Sequence, residues 1–127
     1  MYTVKTLVFA AVSTLICATG AQAHPKLLSS TPAATTTAVA PKAITLKFSE
    51  KIVPKFTGLE LIMTSMPDMA TGQTMKIEGF KPAFGKDGKT LTAQMAKPLT
   101  VGGYRVAWHA VATDTHRIAG SFDFTVK

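Results

Sequence analysis

The sequence lacks an apolar run long enough to cross a membrane, which takes about 20 residues. The apolar run at about 7–17 is shorter, follows Lys5 and leads to small residues at positions 21 and 23. A charged start, a short apolar middle and a small-residue cleavage site are typical of a secretory signal peptide. We therefore predict that residues 1–23 are removed on export and that residues 24–127 form a single domain.

Cysteine is nearly absent as well. The single cysteine, Cys17, falls in the predicted signal peptide, so residues 24–127 have neither a disulfide nor a thiolate ligand. This excludes zinc-finger and iron–sulfur sites. The sequence also shows no serine-nucleophile elbow, no Cys-x-x-Cys pair and no phosphate-binding loop. We predict no catalytic residues and no enzyme.

Runs of basic residues are missing. Residues 24–127 have 13 Lys and Arg against seven Asp and Glu, a net charge of +6, but the basic residues are scattered singly. No basic run is interleaved with aromatic residues, so we predict no nucleic-acid binding. A positive surface suits an anionic lipid or an acidic partner; it is equally consistent with a soluble face that has no special partner.

The chain does contain short runs rich in β-branched and aromatic residues, in several of which apolar and polar residues alternate. The runs lie at about 26–30, 43–48, 58–64, 74–80, 89–95, 102–111 and 120–126. They predict an all-β fold, a seven-stranded antiparallel β-sandwich or barrel of immunoglobulin-like, Greek-key architecture.

Two breaks between these runs have recognisable turn chemistry. Residues 31–41 are bracketed by prolines and predict a loop. Residues 86–89 read Lys-Asp-Gly-Lys and predict a hairpin turn, in which Asp87 and Gly88 supply the positive φ angles.

Cleavage after residue 23 would make His24 the first residue of the domain. Its imidazole and its free α-amine can then chelate one metal ion together. Pro25 has no backbone N–H to deprotonate, which blocks the mode in which copper displaces consecutive amide protons. The ion must recruit other side chains instead. Two nitrogens with a further imidazole and a carboxylate form a tetragonal set that suits Cu(II).

Asp114 and His116 are the most suitable recruits. They lie in the polar segment between the runs at 102–111 and 120–126, which predicts a loop at one end of the sandwich. Residues two apart on extended backbone point the same way. The alternative is that Asp114 only caps a turn and His116 is a solvated loop residue. Glu50 is either a further oxygen ligand near the same end or a surface carboxylate among lysines.

Four methionines fall within 13 residues, at Met63, Met66, Met69 and Met75. Thioethers are soft, neutral ligands that favour Cu(I). Methionine also fills cores, which would explain Met63 at a strand end but fits Met66 and Met69 poorly, because they flank polar and turn residues. An exposed methionine loop could also serve as a protein contact.

Several motifs taken together carry a family resemblance. They are His24-Pro25-Lys26-Leu27, Ser29-Ser30-Thr31-Pro32, Leu46-Lys47-Phe48-Ser49-Glu50, the four methionines, Tyr104-Arg105-Val106-Ala107-Trp108, Asp114-Thr115-His116, Gly120-Ser121 and Phe124-Thr125-Val126. In this combination the chain resembles the CopC-type periplasmic copper-binding proteins over its whole length from residue 24.

The resemblance implies a β-sandwich with two copper sites at opposite ends. The implied Cu(II) ligands are His24, Asp114 and His116, with Glu50 nearby. The implied Cu(I) ligands are Met63, Met66, Met69 and Met75. Some relatives have a histidine in the methionine loop, but residues 68–71 have none, so a Cu(I) site here would rest on thioethers alone.

The resemblance also implies a function. The chain is expected to be a monomeric periplasmic copper carrier that serves resistance or homeostasis and passes copper to an inner-membrane transporter of the CopD type. An alternative is a copper-dependent polysaccharide monooxygenase, which also uses a terminal histidine on a β-sandwich. That enzyme needs exposed aromatics, whereas Tyr104 and Trp108 are predicted to face inward and His109 outward. A third possibility is an interaction module with an incidental metal site.

Overall fold

The structure is a computed structural model that describes residues 25–127. The predicted signal peptide and His24 lie outside the described residues. Within them the chain forms nine strands: β1 (Leu27–Thr31), β2 (Thr37–Ala38), β3 (Ala43–Phe48), β4 (Gly58–Ser65), β5 (Met75–Ile77), β6 (Lys81–Phe84), β7 (Thr90–Gln94), β8 (Gly102–Val111) and β9 (Arg117–Val126). A single 3₁₀ turn, Pro54–Phe56, precedes β4. In this part of the chain no helix could span a membrane.

The strands form two sheets, one of four strands in the order β1-β3-β7-β6 and one of five in the order β2-β9-β8-β4-β5. Alternate residues of both sheets point into a shared core. Ile44 and Leu46 come from the first sheet and Leu61 and Val106 from the second, and all four are fully buried. Burying each such side chain contributes about 1.5–3 kcal/mol. The predicted all-β sandwich is confirmed.

The predicted strand at 74–80 is divided between the two sheets. Residues 75–77 form β5 beside β4, and the chain then crosses to the other sheet as β6. Gly79, with φ of 81°, allows the sharp change of direction. Pro82 lies in β6, where an edge strand tolerates the missing N–H. The predicted run ended at residue 80 and the next began at residue 89, so β6 was not predicted.

The predicted loop at 31–41 contains a second strand that sequence reasoning missed. β2 pairs in parallel with the end of β9, with Thr37 opposite Thr125 and Ala38 opposite Val126. Two residues are too few to show alternation. The five-stranded sheet is therefore not wholly antiparallel, and residues 25–127 form nine strands where seven were predicted.

The hairpin turn at 86–89 is present, but its chemistry differs from the prediction. Gly88 alone has a positive φ, of 70°. Asp87 acts through its side chain: Oδ1 accepts from the Lys89 N–H and Oδ2 from the Thr90 hydroxyl, both at 2.9 Å. These hydrogen bonds, with the Lys89 N–H as the largest cause, lower the pKa of the Asp87 carboxyl.

We therefore expect Asp87→Asn to lower the thermal midpoint at neutral pH. A depressed carboxyl pKa adds stability above the pKa of the unfolded chain, and this stability is lost as the pH falls through the lower, folded pKa. The difference in midpoint between wild type and variant should thus shrink below pH of about 4. Thermal unfolding followed by circular dichroism between pH 2.5 and 7 tests this. A difference independent of pH would contradict it.

Candidate metal centre

The start of the described chain is anchored at one end of the sandwich. Pro25 is fully buried. The Lys26 N–H donates to Ser49 Oγ at 2.9 Å, and the Ser49 N–H donates back to the Lys26 carbonyl at 2.9 Å. Sequence reasoning singled out the neighbouring Glu50 as a candidate ligand and named Ser49 only as part of a motif, without a role. A serine just after the alternating β3 run was the available signal.

The segment that follows Ser49 is joined to the loop between β8 and β9. Ile52 forms an isolated bridge with Ala112. The Val53 N–H donates to the Val111 carbonyl at 2.8 Å, and the Thr113 N–H donates to the Lys51 carbonyl at 3.2 Å. The residues after the predicted cleavage site and the loop that holds Asp114 and His116 are thus both tied to one short segment.

The loop between β8 and β9 is a tight turn. The Thr115 N–H donates to the Ala112 carbonyl at 2.9 Å and the Ala112 N–H to the His116 carbonyl at 3.0 Å. Thr115 has φ of 75°, a strained angle for a β-branched residue. This backbone turns Asp114 and His116 toward each other.

Asp114 and His116 are in direct contact. Asp114 Oδ1 accepts from the His116 N–H at 3.1 Å, and Asp114 Oδ2 lies 3.0 Å from His116 Nδ1. Asp114 therefore caps the turn, as one sequence interpretation held, and also contacts the ring. A carboxylate on one ring nitrogen fixes the orientation of the imidazole, an arrangement common among metal-binding histidines. The other nitrogen, Nε2, would then face the metal.

The imidazole and carboxylate fit the N,O donor set that Cu(II) prefers. Over residues 25–127, no three His, Cys, Asp or Glu side chains lie close enough together to hold a metal ion. The described pair therefore makes only part of the predicted centre, whose remaining donor, His24, lies outside the described residues. Glu50 is half-buried on the segment between Ser49 and Lys51.

The four methionines have different surroundings. Met63 lies in the core on β4 and is 3% exposed, whereas Met66 and Met75 are 37% and 46% exposed. Met69 is half-buried against the core, and its N–H donates to the Met66 carbonyl at 3.1 Å. Met63 stands opposite Met75 in the β4–β5 ladder. The structure thus places three of the thioethers at or near the surface and one in the core.

The methionine segment and the Asp114–His116 pair lie at opposite ends of β8. Met63 pairs with Tyr104 near the start of β8, whereas Asp114 follows its last residue, Val111. Seven residues of strand at about 3.3 Å each separate Tyr104 from Val111. The two candidate sites are therefore more than about 20 Å apart.

Trp108 faces inward as predicted, but it is not fully buried. Its ring packs edge-on against Phe48, with centroids 5.4 Å apart. It also borders a groove of about 540 Å³ beside β1, together with Leu27 and Phe122. His109 points the other way, to the outer face of the sheet, as predicted. The only tryptophan of the sequence thus borders an open groove.

Comparisons with known proteins agree with this architecture. A model of the CopC domain matches residues 27–127. Copper resistance protein C from Pseudomonas syringae pv. tomato is 49% identical over 107 residues, which are 84% of this chain and 83% of that protein. The crystal structure of PcoC, a methionine-rich copper resistance protein from Escherichia coli, is 44% identical with a TM-score of 0.73, over 83% of this chain and 100% of that one. CopC from Methylosinus trichosporium OB3b is 27% identical with a TM-score of 0.66, over 82% and 94% of the two chains. The chain belongs to the CopC family.

Proposed function

We propose that this protein is a copper-binding protein of copper resistance that works in the periplasm and carries copper to a membrane partner. Several of its relatives are named copper resistance proteins. The observation that carries the proposal is the Asp114–His116 contact, in a loop tied to the same segment that anchors Lys26. The relationship to copper resistance proteins also confirms that the chain is not an enzyme.

The Cu(II) site that we propose consists of His24, Asp114 and His116. Residue 24 directly precedes the buried Pro25 in the chain, and consecutive Cα atoms are about 3.8 Å apart. The anchoring of Pro25 and Lys26 therefore supports a position for His24 near this end of the sandwich. Two nitrogens of His24 and Nε2 of His116 would supply three donors. Asp114 either adds a carboxylate oxygen or acts through Nδ1 of His116, and the 3.0 Å contact supports the second role. Glu50 would remain a nearby carboxylate.

For the methionine segment we propose a Cu(I) site built from Met66, Met69 and Met75. The exposed thioethers of Met66 and Met75 support this, because apolar side chains exposed beside a turn gain little from packing. Met63 could join only by leaving the core. The transfer partner would be an inner-membrane transporter of the CopD type, and the carrier would act as a monomer.

A copper-dependent polysaccharide monooxygenase receives no support from the described residues. Such an enzyme would present several aromatic rings on a broad flat face, but Tyr104 is buried, Trp108 borders a groove, and Phe56 is the one exposed aromatic side chain among residues 25–127. Tyr104 stacks on Phe124 and its hydroxyl donates to the Thr100 carbonyl at 2.8 Å, which holds it in the core.

Competition titration of Cu(II) into the chain that begins at His24 tests the proposed function. We expect one tight equivalent in the presence of a competing chelator such as glycine. The complementary measurement is growth of cells that lack the protein, with and without the restored gene, in elevated copper. Failure to bind any stoichiometric Cu(II) or Cu(I) would contradict the proposal.

Cu(I) binding should depend on the exposed methionines. We expect the double variant Met66→Leu/Met75→Leu to weaken Cu(I) binding by at least about 10-fold, because leucine keeps the volume but removes the sulfur donor. The control is Met95→Leu, a buried methionine of the core, which should leave the affinity unchanged. Competition with a chromogenic Cu(I) chelator measures both. Equal affinities for the two variants would rule out this site.

A further inference from the structure

A groove that the proposed copper sites do not use lies on the outer face of the five-stranded sheet. It has a volume of about 320 Å³ and is lined by Lys55, Phe56, His109, Val111 and Arg117. These five residues are called the basic groove below. They come from the 3₁₀ turn, the end of β8 and the start of β9.

Small residues on both sides of His109 leave the groove open. In the sheet, His109 stands between Gly58 on β4 and Ala119 on β9. A Cβ added to Gly58 would lie only 3.2 Å from His109 Cε1, so the imidazole already occupies the space above the glycine. The half-buried His109 therefore forms the floor, and the exposed Lys55, Phe56 and Arg117 form the walls.

The groove has an unbalanced charge. Lys55 and Arg117 are cationic, and no carboxylate lines the groove. Elsewhere on this face charges are paired, Arg105 with Asp123 at 2.8 Å and Lys76 with Glu60 at 3.1 Å. Among residues 25–127, neither Lys55 nor Arg117 forms a salt bridge. Two uncompensated cations on either side of a depression attract a carboxylate.

The groove also has an apolar contact point. The Phe56 ring is 53% exposed, and Lys55 Nζ lies 5.6 Å from its centroid. Aromatic residues and Arg are enriched in protein–protein interfaces, so Phe56 and Arg117 are suitable contact residues for a partner protein. The concave shape and recessed imidazole suit inserted side chains better than a flat bilayer surface.

We propose that the basic groove docks an acidic segment of a partner protein, with Asp or Glu side chains between Lys55 and Arg117 and an apolar side chain over Phe56. Arg117 directly follows His116, so a docked segment would lie beside the candidate Cu(II) site. The docking itself does not need copper. If the partner is the protein that receives copper, that part of the inference rests on the proposed function.

Nuclear magnetic resonance titration of the copper-free chain, from residue 24 to 127, tests the docking. The probe is a synthetic peptide in which glutamates flank two phenylalanines, and its control replaces each Glu with Gln. We expect the acidic peptide to shift amide signals at 55–58, 109–111 and 117–119. The glutamine peptide should not shift them.

Two matched sets of variants make the test specific. Lys55→Gln/Arg117→Gln should weaken peptide binding at least about 5-fold, while Lys42→Gln/Lys81→Gln, with the same net charge, should leave it unchanged. Likewise Phe56→Ser should weaken binding, and Val101→Ser, at an equally exposed apolar residue, should not.

If the two double lysine and arginine variants lost peptide affinity equally, the peptide would be bound by the general positive charge of the protein, and the proposal would be overturned. So would binding to phosphatidylglycerol vesicles through these residues with no response to the peptide, which would assign the groove to a lipid surface. Because the protein is copper-free, a failed peptide titration leaves the Cu(II) titration untouched, and the two failures can be told apart.

Discussion

Replacing His116 with alanine is expected to weaken Cu(II) binding by at least about 100-fold. Loss of a residue that only orients a metal-binding histidine costs about 10–100-fold in affinity, and loss of the histidine itself removes a donor outright. His116 lies in an exposed turn, and its removal should not disturb the core. Competition titration of the folded variant measures the effect.

The chain offers a matched control for this variant. His109→Ala removes the same side chain from the outer face of β8 and should leave Cu(II) affinity unchanged. Asp114→Asn separates the two roles of Asp114, because asparagine can still accept a hydrogen bond from His116 Nδ1 but is a poor ligand. A small effect supports the orienting role and a large one direct coordination. Wild-type affinity in His116→Ala would refute the site.

The largest loss of stability is expected for Gly102→Ala. Gly102 has φ of 154°, and a Cβ there would lie 2.3 Å from the Ser65 carbonyl oxygen. That oxygen is backbone at the bulge where β4 pairs with β8, so it cannot rotate away. Strain at the glycine and the clash together should cost about 3 kcal/mol or more.

Gly72→Ala is the control for backbone conformation alone. Gly72 also has a positive φ, of 84°, but nothing lies within 4 Å of an added Cβ. The expected cost is therefore only about 1–2 kcal/mol. Urea unfolding of both variants measures the difference. Equal losses would mean that β4 and β8 do not approach closely at Gly102.

The fold could be predicted because its two faces alternate in the sequence. Ile44, Leu46 and Phe48 all point into the core, as the period of two requires. β2 and β6 were not predicted. β2 is too short to show alternation, and β6 contains Pro82. The predicted run at 74–80 included Gly79, and only the structure shows that the chain changes sheets there.

The sequence predicted which side chains could bind the metal in the candidate site, but not how they contact one another. Asp114 and His116 stand two apart, and the structure brings them into contact through the turn at Thr115. The sequence places Ser49 just after the alternating β3 run but does not identify Lys26 as its partner, because that contact spans 23 residues. The sequence left open whether Met63, at a strand end, is a ligand or a core residue, and the structure places it in the core.

The most direct test of the central claim is whether the α-amine of His24 binds copper. Electron paramagnetic resonance is recorded while Cu(II) is added to two proteins, one that begins at His24 and one with a single alanine added before it. The first should show one tight equivalent with a tetragonal, nitrogen-rich signal, and the second should lose it, because His24 would no longer have a free amine. Identical spectra and affinities for the two proteins would contradict the terminal copper site.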